Sequence, residues 1–378
     1  MSRADERTGR AGLTPMRPRD PSQVFRASRP LELFFDLVFV VAVSLASAQL
    51  HESLAHALEA GTGPAPGLIS YLMVFFAIWW AWMNFTWFAS AFDVDDWLYR
   101  LLTLVQMAGV LVLAVGIRDA SEGDFGTVVI AYIVMRLALV AQWLRASRSH
   151  PELRRTALRY AGGVGLVQLL WVGFLLIPAP ASTYCFLLFA LCELAVPVWA
   201  ESARQTPWHP EHIADRYGSF TLIVLGESVL ASTTAVAQAV GDTHHILELA
   251  AIGFCGLALA AGMWWLYFAT EVNDRLERVR TALPFGYGHY AVFAAAGAFS
   301  AGISVLLGSD PGGTDFASIA AAATLTVPVA VFIIGVWLLI MRHRLTGATR
   351  ALVPVGAVLI ALCALLPWSI VWAAVVMF

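Results

Sequence analysis

Glu32, Asp36, Arg136, Glu193 and Glu227 interrupt stretches that are otherwise apolar for about the 20 residues a helix needs to cross a bilayer. A charged side chain in hydrocarbon costs about 2.5–3.5 kcal/mol on insertion scales, so such groups face a bundle interior, find partners and mark ion or proton pathways. One Arg cannot neutralise several carboxylates. If Arg136 pairs with one of them, the others must hold protons, bind a cation or touch a water-filled cavity. Each option describes part of a site for protons or monovalent cations. The competing reading is a structural knot, in which an Arg–carboxylate pair locks helix register and the other acids stay neutral. Counted from the cytoplasmic ends of the predicted spans, Asp36 lies about 9 Å in, Glu193 about 10 Å, Arg136 about 14 Å and Glu227 about 16 Å. Spans one, four, six and seven are therefore expected to contribute to one polar layer. Glu32 sits nearer the edge, four residues before Asp36 and on the same helical face.

Residues around these acids suggest a special local geometry. Gly226 precedes Glu227 and would let a neighbouring helix approach, while Ser228 and Ser232 offer hydroxyls on the following turns. Pro197, four residues after Glu193, removes the N–H that would bond the Glu193 carbonyl and frees that oxygen for another donor or an ion. Asn84 and Gln106 read as glue between helices. Asp93, Asp96 and Asp274 lie just past the second and eighth spans, and Asp215 with Arg216 opens the seventh. His209, His212 and Asp215 have a spacing that could bind metal, but Pro210 interrupts it and no fourth ligand is evident. No metal site is assigned. Asp215 is instead expected to favour the helix dipole at the start of span seven.

The elements that must position these groups are membrane helices. Of 378 residues, 59% are hydrophobic and 13% charged, with a mean hydropathy of +0.74; ordinary soluble domains carry about 25% charged residues. Eleven spans are predicted, near residues 30–50, 67–90, 98–117, 125–145, 158–177, 182–200, 216–240, 246–269, 285–308, 314–341 and 352–376. Residues 1–29, with seven Arg and three Pro, read as a disordered cytoplasmic tail. Placing them inside leaves Arg118 alone outside and Arg136 within a span, with every other Arg cytoplasmic, as the positive-inside rule requires. All 23 basic residues are Arg, and the four Cys lie in apolar runs without metal spacing. P-loop, dinucleotide-binding and nucleophile-elbow motifs are absent, so no cofactor, enzymatic activity or nucleic-acid partner is expected.

An internal repeat is also expected. Trp79-Trp80 and Trp264-Trp265 are 185 residues apart, and Asp36 and Glu227 are 191 apart. Both offsets are near half the chain and skip six spans, which predicts two parallel repeats related by an axis along the membrane normal. The first repeat, residues 30–200, would have six helices; a linker at 201–215 leads to a second of five helices, 216–378.

The string Leu31-Glu32-Leu33-Phe34-Phe35-Asp36-Leu37-Val38-Phe39-Val40, with His212-Ile213-Ala214-Asp215-Arg216-Tyr217-Gly218-Ser219-Phe220 and Leu225-Gly226-Glu227-Ser228, closely resembles the bacterial low temperature requirement protein A (LtrA) family. Asp215 stands where the family commonly has Glu. The resemblance implies a multi-pass protein of the bacterial inner membrane and brings no established substrate. A weaker similarity relates Phe35-Asp36-Leu37-Val38-Phe39 to the first helix of endolysosomal-type potassium channels. Leu37 replaces their Gly and no Ser precedes Asp36, so the pore motif does not carry over. Three function classes follow: a proton- or cation-linked channel or secondary transporter, a membrane-embedded enzyme acting on lipid through Asp93, Asp95, Asp96 and the His209/His212 segment, and a structural or sensory membrane protein.

Overall fold

The computed structural model describes residues 13–19, 28–178, 181–241, 246–270, 276–310 and 312–378. Among them are eleven helices long and apolar enough to cross a membrane. They are α1 (Pro30–Glu59), α2 (Ala65–Ala91), α3 (Trp97–Val115), α5 (Gly126–Ser149), α6 (Arg154–Phe174), α7 (Ala181–Glu201), α8 (Pro210–Gly241), α9 (Ile246–Phe268), α10 (Val279–Leu307), α11 (Phe316–Leu339) and α12 (Gly347–Leu362), the last prolonged by a 3-10 turn. Two short helices, α4 (Ile117–Ser121) and α13 (Ser369–Met377), complete the set. The chain is an all-α multi-pass membrane protein.

Two boundaries differ from expectation in ways that matter. Pro210, pre-shaped for the first turn of a helix, starts α8 six residues before the expected 216, and this carries Arg216 almost two turns into the helix. The last expected span, 352–376, is two pieces: α12 begins earlier, and the backbone turns at Trp368 (φ 58°) into α13, whose nine residues cover about 13 Å.

The core is built around α2 and α10, the two spans with the least lipid-facing surface. Trp82 of α2 stacks on Phe220 of α8 and meets Phe293 of α10 edge-on, while Phe85 stacks on Phe35 of α1. Close contact needs small residues where backbones meet: a Cβ on Gly302 of α10 would lie 2.4 Å from the Thr324 carbonyl oxygen of α11.

Part of the expected disordered tail is ordered. Strand β1 (Arg17–Pro18) pairs antiparallel with β2 (Phe92–Asp93), Arg17 opposite Asp93, and Met16 is fully buried. Asp96 explains why: it caps α3 through the Tyr99 amide, accepts from the Thr14 amide and hydroxyl at 3.1 and 3.0 Å, and pairs with Arg145 at the end of α5. Burial alone would raise the Asp96 pKa, but those donors together hold it down at about 2.

A candidate charge-transfer site between α1 and α8

Asp36 and Arg216 are each six residues into their helix, about 9 Å by rise, and both are fully buried. The guanidinium grips the carboxylate in a bidentate fork, Nε to Oδ2 at 3.0 Å and Nη2 to Oδ1 at 2.6 Å, and the Trp82 indole donates to Oδ1 at 2.7 Å. One turn earlier, His212 Nε2 lies 3.0 Å from Glu32 Oε2, with Arg216 Nη1 3.9 Å from the same oxygen. Glu32 also accepts from the Arg29 amide, closing the N-terminus of α1. The result is an acid–base ladder: two acids on α1 against two bases on α8.

Arg136 belongs elsewhere. Its Nη2 donates to Glu193 Oε2 at 2.7 Å, and four neutral donors complete the cage: Trp80 Nε1 on Oε2 (2.9 Å), and Tyr132 OH (2.9 Å), Trp171 Nε1 (3.2 Å) and Gln168 Nε2 (3.3 Å) on Oε1. It is the carboxylate of Glu193, not the carbonyl freed by Pro197, that gathers partners. Both sites hang on α2. Trp80 and Trp82 are about 3 Å apart along the axis and about 200° apart around it, so the Asp36 and Glu193 clusters sit at one height on opposite sides of that helix. The single polar layer is therefore divided in two, each half with its own Arg.

Glu227 is not in either cluster. It stands 17 residues into α8, about 25 Å along, partly exposed and with no hydrogen bond or ion pair among the described residues. The late start assumed for span seven had placed it too shallow, and Arg216, rather than Glu227, lies opposite Asp36. Gly226 is exposed and a Cβ there would meet nothing within 4 Å, so it makes no close helix contact. Ser228 is fully buried, and its hydroxyl, like those of Ser47 and Ser232, has no partner among the described residues.

Other expected residues are spent on structure. Asn84 donates to the Trp80 carbonyl, and Gln106 faces Gln142 between α3 and α5 at 3.5 Å. Asp215 is exposed and too far along α8 to serve its dipole; it accepts from the Ser28 hydroxyl at 2.5 Å. His212 points inward at Glu32 while Asp215 points outward, which separates two of the three groups weighed as metal ligands. Asp95 is held by Arg100, and Asp93 contributes backbone to β2. Asp274 lies outside the described residues. Glu201, expected to begin a linker, is a buried carboxylate at the end of α7. Its partners come from residues 160 and 206, and nothing in local spacing announces them.

The family model described as bacterial low temperature requirement A protein (LtrA) matches residues 27–378. An uncharacterized protein of Rhizobium meliloti (strain 1021) is 28% identical over 284 residues, covering 71% of this chain and 66% of its own length.

Proposed function

The chain belongs to the bacterial low temperature requirement A family, and we propose that it is a channel or secondary transporter, not an enzyme, for protons or monovalent cations in the bacterial inner membrane. The pathway follows the interface of α1 and α8, with the N-terminus cytoplasmic. The observation that carries this reading is the fully buried Asp36–Arg216 pair. Two charges withdrawn from water gain little net stability over an apolar contact, but a pair that opens and closes moves charge. Beyond it the face of α1 continues as Phe39, Val43 and Ser47, and successive turns of α8 carry Phe220, Val224 and Ser228, all buried. Mid-helix Ser hydroxyls ordinarily bond back to a carbonyl one turn earlier; the unpartnered hydroxyls of Ser47 and Ser228 fit a lining that faces water when the path opens.

The spacing of the helix starts fits the proposed two-repeat architecture and supports the reading. Helices α1, α2 and α3 start at 30, 65 and 97, and α8, α9 and α10 at 210, 246 and 279. Glu32–His212 and Asp36–Arg216 each join positions 180 residues apart. In such a repeat, equivalent positions of the two halves would supply an acid and a base. The test is hydration: in a protein whose four native cysteines are replaced, Ser47→Cys and Ser228→Cys should react with a small, membrane-impermeant thiol reagent under conditions that support flux. Protection of both throughout would refute the path. The Glu193 cage favours a second, structural role for that carboxylate, because five donors leave it no freedom to exchange partners.

A further inference from the structure

Glu201 is, among the described residues, the buried carboxylate without a cationic partner. Glu32, Asp36, Asp96 and Glu193 each face an Arg or His. Glu201 accepts only neutral donors: Tyr160 OH and Thr206 Oγ1 on Oε1 and the Thr206 amide on Oε2, each at 2.8 Å. Burial works against the ionised form, these three bonds favour it, and no cation compensates its charge. The neighbouring arginines are committed elsewhere, Arg204 to Glu152 at 2.9 Å and Arg159 to the Trp199 carbonyl and Ser202 hydroxyl.

Glu201 lines a cavity of about 20 Å³ between α2, α5, α6, α7 and α10, together with Trp87, Trp143, Tyr160, Trp208 and Asn84. That is room for about one water-sized body. The Trp87 and Trp208 indole N–H groups are used on Tyr217 OH and the Leu276 carbonyl, so these rings have no N–H left to offer an anion. The Asn84 amide nitrogen is used on the Trp80 carbonyl, which leaves its side-chain oxygen as an acceptor. Aromatic rings, a neutral acceptor and an unpaired carboxylate attract a weakly hydrated cation, and the volume limits it to one of water size.

We propose that this cavity is a binding site for an ammonium cation, either free ammonium or the head of a small primary amine. The site is separate from the α1–α8 ladder and does not depend on the transport reading. The test is thermal unfolding of the purified full-length protein in detergent, titrated with ammonium chloride at constant ionic strength made up with sodium chloride. A bound cation raises the midpoint saturably. The expected result is a saturable rise with ammonium for wild type and for the Asp36→Asn variant, with apparent affinity at least tenfold weaker in Glu201→Gln. Methylammonium acting like ammonium would assign the site to amine heads, and ammonium acting alone would assign it to the free ion. Should Glu201→Gln fail to accumulate folded, Asn84→Leu carries the test and should weaken the response several-fold. No saturable rise in wild type, or an undiminished rise in Glu201→Gln or in a folded Asn84→Leu, would overturn the assignment.

Discussion

Asp36 and Glu193 are neutralised in different ways, and the same substitution should affect them differently. Removing one partner of a buried ion pair leaves an uncompensated charge and costs about 3–5 kcal/mol. Asp36→Asn should therefore lower stability strongly, and Asp36→Asn with Arg216→Gln should cost clearly less than the sum of the single changes, a coupling that a double-mutant cycle of unfolding midpoints measures. Additive effects would mean that the pair is not energetically joined. Glu193→Gln should also destabilise by about 3–5 kcal/mol, because Arg136 loses its counter-charge and the new amide faces donors, yet flux per folded molecule should stay near wild type. Lost flux at unchanged stability would make Glu193 part of the pathway. In the sequence, Glu32, Asp36, Arg136 and Glu193 were legible because charges in apolar runs stand out. The role of Arg216 was not, since its partner lies 180 residues away, and Glu201 looked like the first residue of a polar linker.

At the scale of helices, hydropathy found all eleven spans but clipped those whose ends carry charge. The first two turns of α8 hold the buried His212 and Arg216, and only the folded partner face of Glu32 and Asp36 makes their burial affordable, which no window over one segment can register. The break between α12 and α13 was hidden for the opposite reason: both pieces are apolar. Close packing at Gly302 gives one test here. Gly302→Ala places a Cβ against backbone of α11, not against a flexible side chain, and should cost about 1–3 kcal/mol in an unfolding assay; an unchanged midpoint would mean that α10 and α11 pack less closely. The clamp formed by residues 13–19 gives another. The Asp96 pKa is lowered in the folded state, so its stabilisation is complete above about pH 4 and is lost as pH falls toward 2. Proteolysis within residues 13–19 by an acid-active protease should accelerate across that interval, and Asp96→Asn should show the fast rate already at pH 5.

For the molecule as a whole, the proposed repeat would take a 180-residue offset from the helix starts, not the 185 residues between the Trp pairs, and that offset pairs acids of one half with bases of the other. In that proposed repeat Asp36 and Glu227 would not be counterparts, and the proposed pathway would run where the two halves meet through α1 and α8. A relative motion of the halves would separate Asp36 from Arg216, and the second-half charge would leave with its helix. The most direct measurement is proton and monovalent-cation flux into liposomes containing wild type, Asp36→Asn or the Asp36→Asn, Arg216→Gln double variant, normalised to folded protein. The proposal predicts flux in wild type and its loss in both variants, including the better-folded double one. Flux at the wild-type rate in the double variant would contradict a pathway through this pair.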